Sequence, residues 1–122
     1  MNALEKAEVM KDRTKQFAIR VVAVVRSLPR NREGDVVGKQ LLRSGTAVAA
    51  NYRAVCRSRS KAEFISKMSI VVEEADETVF WLELLGDTGM VASRKPGLIV
   101  KEANELLAIC AASLRTAKYN KE

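Results

Sequence analysis

The sequence contains no histidine, and its 122 residues include only two prolines and two cysteines. The absence of histidine removes the commonest general base, the Ser-His and Cys-His nucleophile pairs, and the usual zinc and di-iron ligand sets. We therefore expect that the protein is not an enzyme, that it holds no metal and that it needs no cofactor. The scarcity of proline and glycine is typical of a helical protein.

The two cysteines, Cys56 and Cys110, lie far apart, form no Cys-x-x-Cys pair and fall at apolar helical positions. Buried thiols in a reducing cytoplasm are the expected state, and a disulfide is the minority alternative. Residues 1–16 are charged throughout, so no signal peptide is expected. Uninterrupted apolar runs, such as Val21 to Val25, are far shorter than the ~20 residues of a membrane span, so no membrane association is expected.

Hydrophobic residues make up 48% of the chain, which is ample for the packed core of a single domain over residues 1–122. Apolar residues recur every three or four positions in four segments. This spacing predicts helices at about 3–28, 36–57, 61–85 and 97–118. Four helices of similar length with short connections favour an all-α, antiparallel up-down-up-down four-helix bundle.

Several residues predict where the helices begin and how closely they pack. Asp35 is a suitable N-cap for the second helix, and Pro96 suits the first turn of the fourth. Ser60 followed by Glu63 fits a capping box at the start of the third helix. Gly45 costs ~1 kcal/mol in a helix interior, and its small neighbours predict close approach of another helix.

The third helix is apolar over a wider arc than one face of a bundle requires. Beside its main stripe, from Phe64 to Leu85, runs a second apolar row. A helix with two apolar faces should bury both, so we expect a homo-oligomer, with a thicker monomer core as the alternative. The expected interface residues are Ile65, Val72, Val79, Phe80 and Trp81.

Positive charge should gather at one pole of such a bundle. The net charge is +6 and the pI about 9.6, which favours acidic partners. The antiparallel topology brings the start of the first helix, the end of the second, the start of the third and the end of the fourth to the same pole. We expect contact with RNA or DNA phosphates there, and the alternative is a set of solvated helix ends. The expected nucleic-acid-binding residues are Arg53, Arg57, Arg59, Lys61, Lys67 and Lys118.

A cluster of acids follows in the third helix, in the sequence Glu73-Glu74-Ala75-Asp76-Glu77. A metal site built from these carboxylates alone is the weaker interpretation, because helical di-iron sites also use histidine. Pairing with Arg43 across the bundle is the stronger one. Together with polar residues on the apolar stripe, the cluster predicts a buried polar network made of Arg43, Ser44, Asn51, Glu74, Asp76 and Glu77.

Residues 38–85 closely resemble the four helix bundle protein family, whose members are also called ribosomal-RNA intervening-sequence proteins. This family is related to the accessory variability determinant of diversity-generating retroelements. The motifs that carry the resemblance are Gln40-Leu41-x-Arg43-Ser44, Asn51, and Ser60 with Glu63-Phe64. One departure is Ala54, where the family commonly has glutamate, so the pairing made by that glutamate is absent or replaced here.

The resemblance implies a bundle that assembles as a ring, usually a pentamer, with no established enzymatic activity. Its retroelement relatives look like basic barrels that bind nucleic acid and a reverse transcriptase. We therefore expect a cytoplasmic, non-enzymatic homo-oligomer that binds RNA or DNA as an accessory factor. The alternative is a structural module that binds an acidic protein, such as a polymerase or a reverse transcriptase.

Overall fold

The chain folds into four α-helices, seen here in a computed structural model that describes residues 1–91 and 94–120 and, for residues 94–98, only the backbone. The helices are α1 (Ala3–Arg26), α2 (Arg32–Val55), α3 (Lys61–Asp87) and α4 (Arg94–Tyr119). The described residues contain no β-strand. The all-α prediction with four helices is confirmed, and the helix bounds lie within a few residues of those expected.

The start of α2 differs from the prediction. The helix begins at Arg32 because Asn31, not Asp35, is its N-cap: the Asn31 side chain accepts a hydrogen bond from the backbone amide of Gly34 at 2.7 Å. Asp35 instead lies in the first helical turn, where a carboxylate interacts favourably with the helix dipole. Both residues are good caps by type, and the short connection after Pro29 decides between them in favour of the earlier one.

The cap of α3 is the one that the sequence predicts. The Ser60 hydroxyl accepts a hydrogen bond from the amide of Glu63 at 3.1 Å. At the other end, α3 extends through Gly86 to Asp87, so the predicted loop is shorter than expected. Gly89 has a φ of 73°, a left-handed conformation that glycine adopts without strain. Residues 92 and 93 of the predicted loop lie outside the described residues.

The core consists of two adjoining clusters of buried side chains. One contains Phe17, Val21, Leu41, Leu82 and Leu106, and the other is built around Val48, Tyr52, Val71 and Cys110. Each helix therefore contributes one apolar stripe, as the spacing predicts. No helix in the described part of the chain is long and apolar enough to cross a membrane.

Gly45 is a point of close approach between α1 and α2. A β-carbon at this position would lie 2.8 Å from both methyl carbons of Val21, which is completely buried. Near the start of α2, Gly38 lies against Leu28 in the same way. The α2 helix packs on α1 and α3, α4 packs extensively on α3, and α1 and α4 contact each other only lightly.

Candidate nucleic-acid interface

A positively charged groove lies where α2 ends and α3 begins. Arg53 is in the last turn of α2, Arg57 and Arg59 follow in the connection, and Lys67 projects from the second turn of α3. We call this surface the basic groove, and the residues that line it are Ala50, Arg53, Ala54, Arg57, Arg59, Glu63 and Lys67. The two alanines are small, and the side chains of Arg53, Arg57 and Arg59 are open to solvent.

Most of the positive charge in the groove is uncompensated. Its one carboxylate, Glu63, accepts a hydrogen bond from Lys67 Nζ at 2.6 Å, and this contact lowers the pKa of Glu63. Lys67 also reaches the backbone oxygen of Ala54 at 3.5 Å. The guanidinium groups of Arg53 and Arg57 form no ion pair with any residue that the structure describes. The side chain of Arg59 is likewise in no ion pair there, so three guanidinium groups are available to an anion.

The structure brings together four of the six residues predicted to bind nucleic acid. Arg53, Arg57, Arg59 and Lys67 line the basic groove. Lys61 lies next to it, in a separate depression at the end of the bundle that Arg59 also borders. Lys118 is exposed in the last turn of α4, and it does not line the groove.

Sequence analysis placed the start of α1 at this pole but did not identify Lys15 as part of the surface. Arg53 also lines a cleft between α1 and α2, whose α1 side carries Lys11 and Lys15. Lys11 is bound to Glu8 at 3.2 Å, whereas Lys15 is exposed and forms no ion pair among the described residues. The four-residue spacing of the two lysines places them on one helix face, and this is the signal that could have identified them.

Aromatic side chains do not contribute to the basic groove. Tyr52, on the same turn of α2 as Arg53, is 8% exposed, and burial raises the pKa of its hydroxyl. Phe64 is half-buried against the core. Proteins that hold single strands by base stacking present exposed aromatic rings, so the groove is suited to phosphates and not to bases.

The predicted buried polar network is not buried and is not one network. Arg43 donates hydrogen bonds to Glu74, at 3.0 Å, and to Glu77, so the predicted pairing across α2 and α3 exists. However, the Arg43 side chain is 47% exposed, which makes this a surface pair. Trp81 Nε1 donates to Glu77 at 3.2 Å, and Arg43, with Trp81, lowers the pKa of that carboxyl.

The other members of the predicted network stand apart from Arg43. Ser44 is fully buried, but its hydroxyl donates to the backbone oxygen of Leu41 within its own helix at 3.4 Å. Asn51 is half-buried and donates to the oxygen of Ala47 at 2.9 Å. Asp76 is exposed and forms no ion pair within the described residues. The side chains of Ser44 and Asn51 each donate a hydrogen bond to a backbone carbonyl three or four residues earlier in the same helix, so they need no partner on another helix.

The predicted oligomer face is largely used inside the bundle. Val79 is 7% exposed and packs in the core cluster that also holds Ile99 and Leu106, so its assignment to an interface is wrong. Val72 and Trp81 are half-buried against the core clusters, and Ile65 is also half-buried. Of the five predicted interface residues, only Phe80 is exposed, with 52% of its surface open to solvent. The thicker monomer core, the alternative drawn from the sequence, accounts for Val79, whereas Ile65, Val72 and Trp81 keep part of their surface open to solvent.

The cysteines differ from each other in exposure. Cys110 is buried, and burial raises its pKa to about 11, whereas Cys56 is exposed, contrary to the prediction. Both thiols are free. Within the part of the chain that the structure describes, no three acidic or thiol side chains come together as a metal site.

Comparisons with known proteins agree with this architecture. Residues 5–112 match the family model described as 23S rRNA-intervening sequence protein. The chain is also similar to a crystal structure of a protein of unknown function from the S23 ribosomal protein family of Bacteroides thetaiotaomicron. The two are 35% identical with a TM-score of 0.83, and the similarity covers 91% of this chain and 99% of that one. No protein with a curated description matches the chain.

Proposed function

Because the chain belongs to the 23S rRNA-intervening sequence protein family, we propose that it is a non-enzymatic accessory protein that binds the phosphate backbone of RNA or DNA. The proposal includes assembly of identical copies into a ring, with five copies as the expected number. It also places the protein in the cytoplasm, where such a nucleic acid would be found. The observation that carries the proposal is the basic groove.

The chemistry of the groove suits phosphodiester oxygens. An arginine guanidinium forms two parallel hydrogen bonds to a phosphate, and the groove offers three such groups that no described carboxylate engages. Since the floor consists of Ala50 and Ala54, a backbone can approach the guanidinium groups closely. With no aromatic ring in the lining, binding should depend on charge and shape, with little preference for base sequence.

An antiparallel order of the helices supports the position of this groove, and we include it in the proposal. Along α1 and α2, Val21 meets Gly45 whereas Leu28 meets Gly38, so the paired residue numbers run in opposite directions. On α2 and α3, Arg43 pairs with Glu74 while Lys67 reaches Ala54, with the same reversal. The reversal brings the end of α2 and the start of α3 to one pole, and their side chains form the groove.

The test is a fluorescence-anisotropy titration against a labelled structured RNA and a DNA duplex, at low and at physiological salt. RNA is measured first because the family name refers to 23S rRNA. We expect submicromolar binding at physiological salt that weakens steeply as salt is raised. Reversing two charges in the groove, in Arg57→Glu/Arg59→Glu, should abolish the binding.

The matched control is Arg30→Glu/Arg32→Glu, which makes the same change of net charge at two exposed arginines, one in the connection after α1 and one at the first residue of α2. Equal loss of affinity in both variants would mean that overall charge, and not the basic groove, attracts the nucleic acid. Binding that appears only at low salt would overturn the proposal. The search would then move to an acidic protein partner, such as a polymerase or a reverse transcriptase.

A further inference from the structure

Phe80 forms an exposed aromatic knob at the centre of the outer face of α3. Its ring is 52% exposed and rests edge-on against Trp81, with the ring centres 4.9 Å apart and the planes at 70°. Trp81 is held in turn by its hydrogen bond to Glu77. The Phe80 ring therefore packs against a Trp81 side chain that is itself held by a hydrogen bond, and this contact orients the exposed ring.

Four acids surround this knob. Residues 73, 76, 83 and 87 lie seven and four positions before Phe80 and three and seven positions after it, so they share its helix face. All four are exposed, and none forms an ion pair among the described residues: they are Glu73, Asp76, Glu83 and Asp87. The outer face of α3 thus carries one exposed aromatic side chain among four acids that form no ion pair with the described residues.

The cleft between α1 and α2 has the opposite character. It encloses about 510 Å³, and its α2 side consists of the small residues Thr46, Ala49 and Ala50. Lys15 and Arg53 stand on its rim, and neither is in an ion pair within the described residues. Lys39, seven residues before Thr46, adds a further exposed cation to the same outer face of α2. Glu8 and Asp12 also line the cleft: Glu8 and Lys11 neutralise each other, and Asp12 offsets one of the two other cations, so the lining keeps a net charge of +1.

We infer that the Phe80 knob of one copy docks in the α1–α2 cleft of a second copy. The two surfaces complement each other in shape, since an aromatic ring meets a recess floored by alanines, and in charge, since acids meet lysine and arginine. A net charge of +6 makes identical copies repel one another on average, so a contact that sets an acidic surface opposite a basic one is favoured. The outer face of α3 supplies that acidic surface.

The contact deepens the assembly part of the proposed function and rests on it. The knob and the cleft are different surfaces of the same chain, so the contact is heterologous: each copy uses its knob on one neighbour and its cleft on the other. Heterologous contacts produce a closed ring where the rotation between copies closes, and a filament where it does not. The contact also places Arg53 at the edge of the interface, next to the basic groove.

The test uses one variant for each side of the contact. Phe80→Glu removes the knob and leaves the cleft intact, whereas Ala49→Lys fills the cleft and leaves the knob intact. By size exclusion with light scattering at micromolar concentration, each variant should be monomeric, with the assembly midpoint shifted by roughly thirtyfold or more. A mixture of the two should form a species of twice the chain mass and nothing larger, because only one competent contact remains per pair.

Circular dichroism monitors helix content, and Phe80→Ser is measured as a second knob variant in case Phe80→Glu loses helix. Ile109→Glu is the matched control, since Ile109 is an exposed apolar residue of α4. An assembled wild type that Phe80→Glu and Phe80→Ser leave unchanged overturns the contact alone, as does a mixture that stays monomeric or dissociation by Ile109→Glu. A wild type that binds RNA as a monomer overturns both the contact and the proposed assembly.

Discussion

At the scale of single residues, the closeness of α1 and α2 depends on the missing side chain of Gly45. Glycine in a helix interior normally costs about 1 kcal/mol relative to alanine, so its presence needs a compensating gain. That gain is the contact with Val21, whose branched and fully buried side chain occupies the space of a β-carbon. Because Val21 is stiff at its first torsion angle, it cannot turn away from an added methyl group.

Gly45→Ala should therefore destabilise the protein, by about 1–3 kcal/mol, although alanine is the better helix former. The matched control is Gly38→Ala, whose β-carbon would meet the flexible end of Leu28 at 3.0 Å and should cost less. Urea denaturation followed by circular dichroism measures both. A Gly45→Ala variant as stable as the wild type would show that the two helices can separate without loss.

At the scale of helices, the lightly packed pair α1 and α4 is joined by charge. Arg13 binds Glu102 through two nitrogens, at 2.9 and 2.6 Å, and reaches Glu105 at 2.6 Å. The hydrogen bond from Arg13 lowers the pKa of Glu102 below its ordinary value of 4.5, despite partial burial of the carboxyl. The two carboxylates are about equally exposed, at 19% for Glu102 and 17% for Glu74, but the Arg13 side chain is 30% exposed against 47% for Arg43, so the Arg13 pair is the better shielded from solvent.

The lowered pKa gives the stability a defined pH dependence. A carboxyl with a depressed folded-state pKa contributes fully above 4.5, and the contribution is lost as pH falls through the folded-state value. Glu102→Gln should therefore be less stable than the wild type at pH 7, by about 1 kcal/mol, and the difference should shrink towards acid pH. Denaturation midpoints measured from pH 7 down to pH ~3 test this.

The control for this prediction is Glu8→Gln, which alters an exposed glutamate paired within α1 and should change stability by a few tenths of a kcal/mol at most. A Glu102→Gln deficit that stays constant over the whole pH range would mean that the carboxylate charge does not hold α1 to α4.

At the scale of the whole molecule, charge is divided between two surfaces. The basic groove gathers cations at the junction of α2 and α3, while the outer face of α3 carries the unpaired acids around Phe80. The α3 helix thus begins beside a surface suited to phosphate and presents along its length a surface suited to a basic neighbour. A ring assembled through the outer face of α3 would carry one basic groove for each copy of the chain.

This division predicts unequal effects of single cations on nucleic-acid binding. Removing Arg57, which is unpaired, should lower the slope of log affinity against log salt by about one unit. Lys67→Ala should lower it by less, because Lys67 is already held by Glu63. Arg30→Ala, away from the groove, should leave the slope unchanged. Equal slopes for Arg57→Ala and Arg30→Ala would show that the groove does not contact phosphate.

The sequence by itself determined the four helices, the apolar stripe of each, and the groove residues Arg53, Arg57, Arg59 and Lys67. These features depend on local spacing, because a helix fixes which residues share a face. It also determined the pairing of Arg43 with the acids of α3, since opposite charges at matching heights lie close once α2 and α3 pack.

Only the tertiary structure decided which apolar row is core and which is surface. Val79 and Phe80 are adjacent and equally apolar, yet the first is buried against α4 residues and the second is open to solvent. Tertiary structure likewise excluded Lys118 from the basic groove and placed Lys15 beside Arg53. The physical reason is that burial depends on the rotation and tilt of neighbouring helices, which the spacing of residues along one helix does not contain.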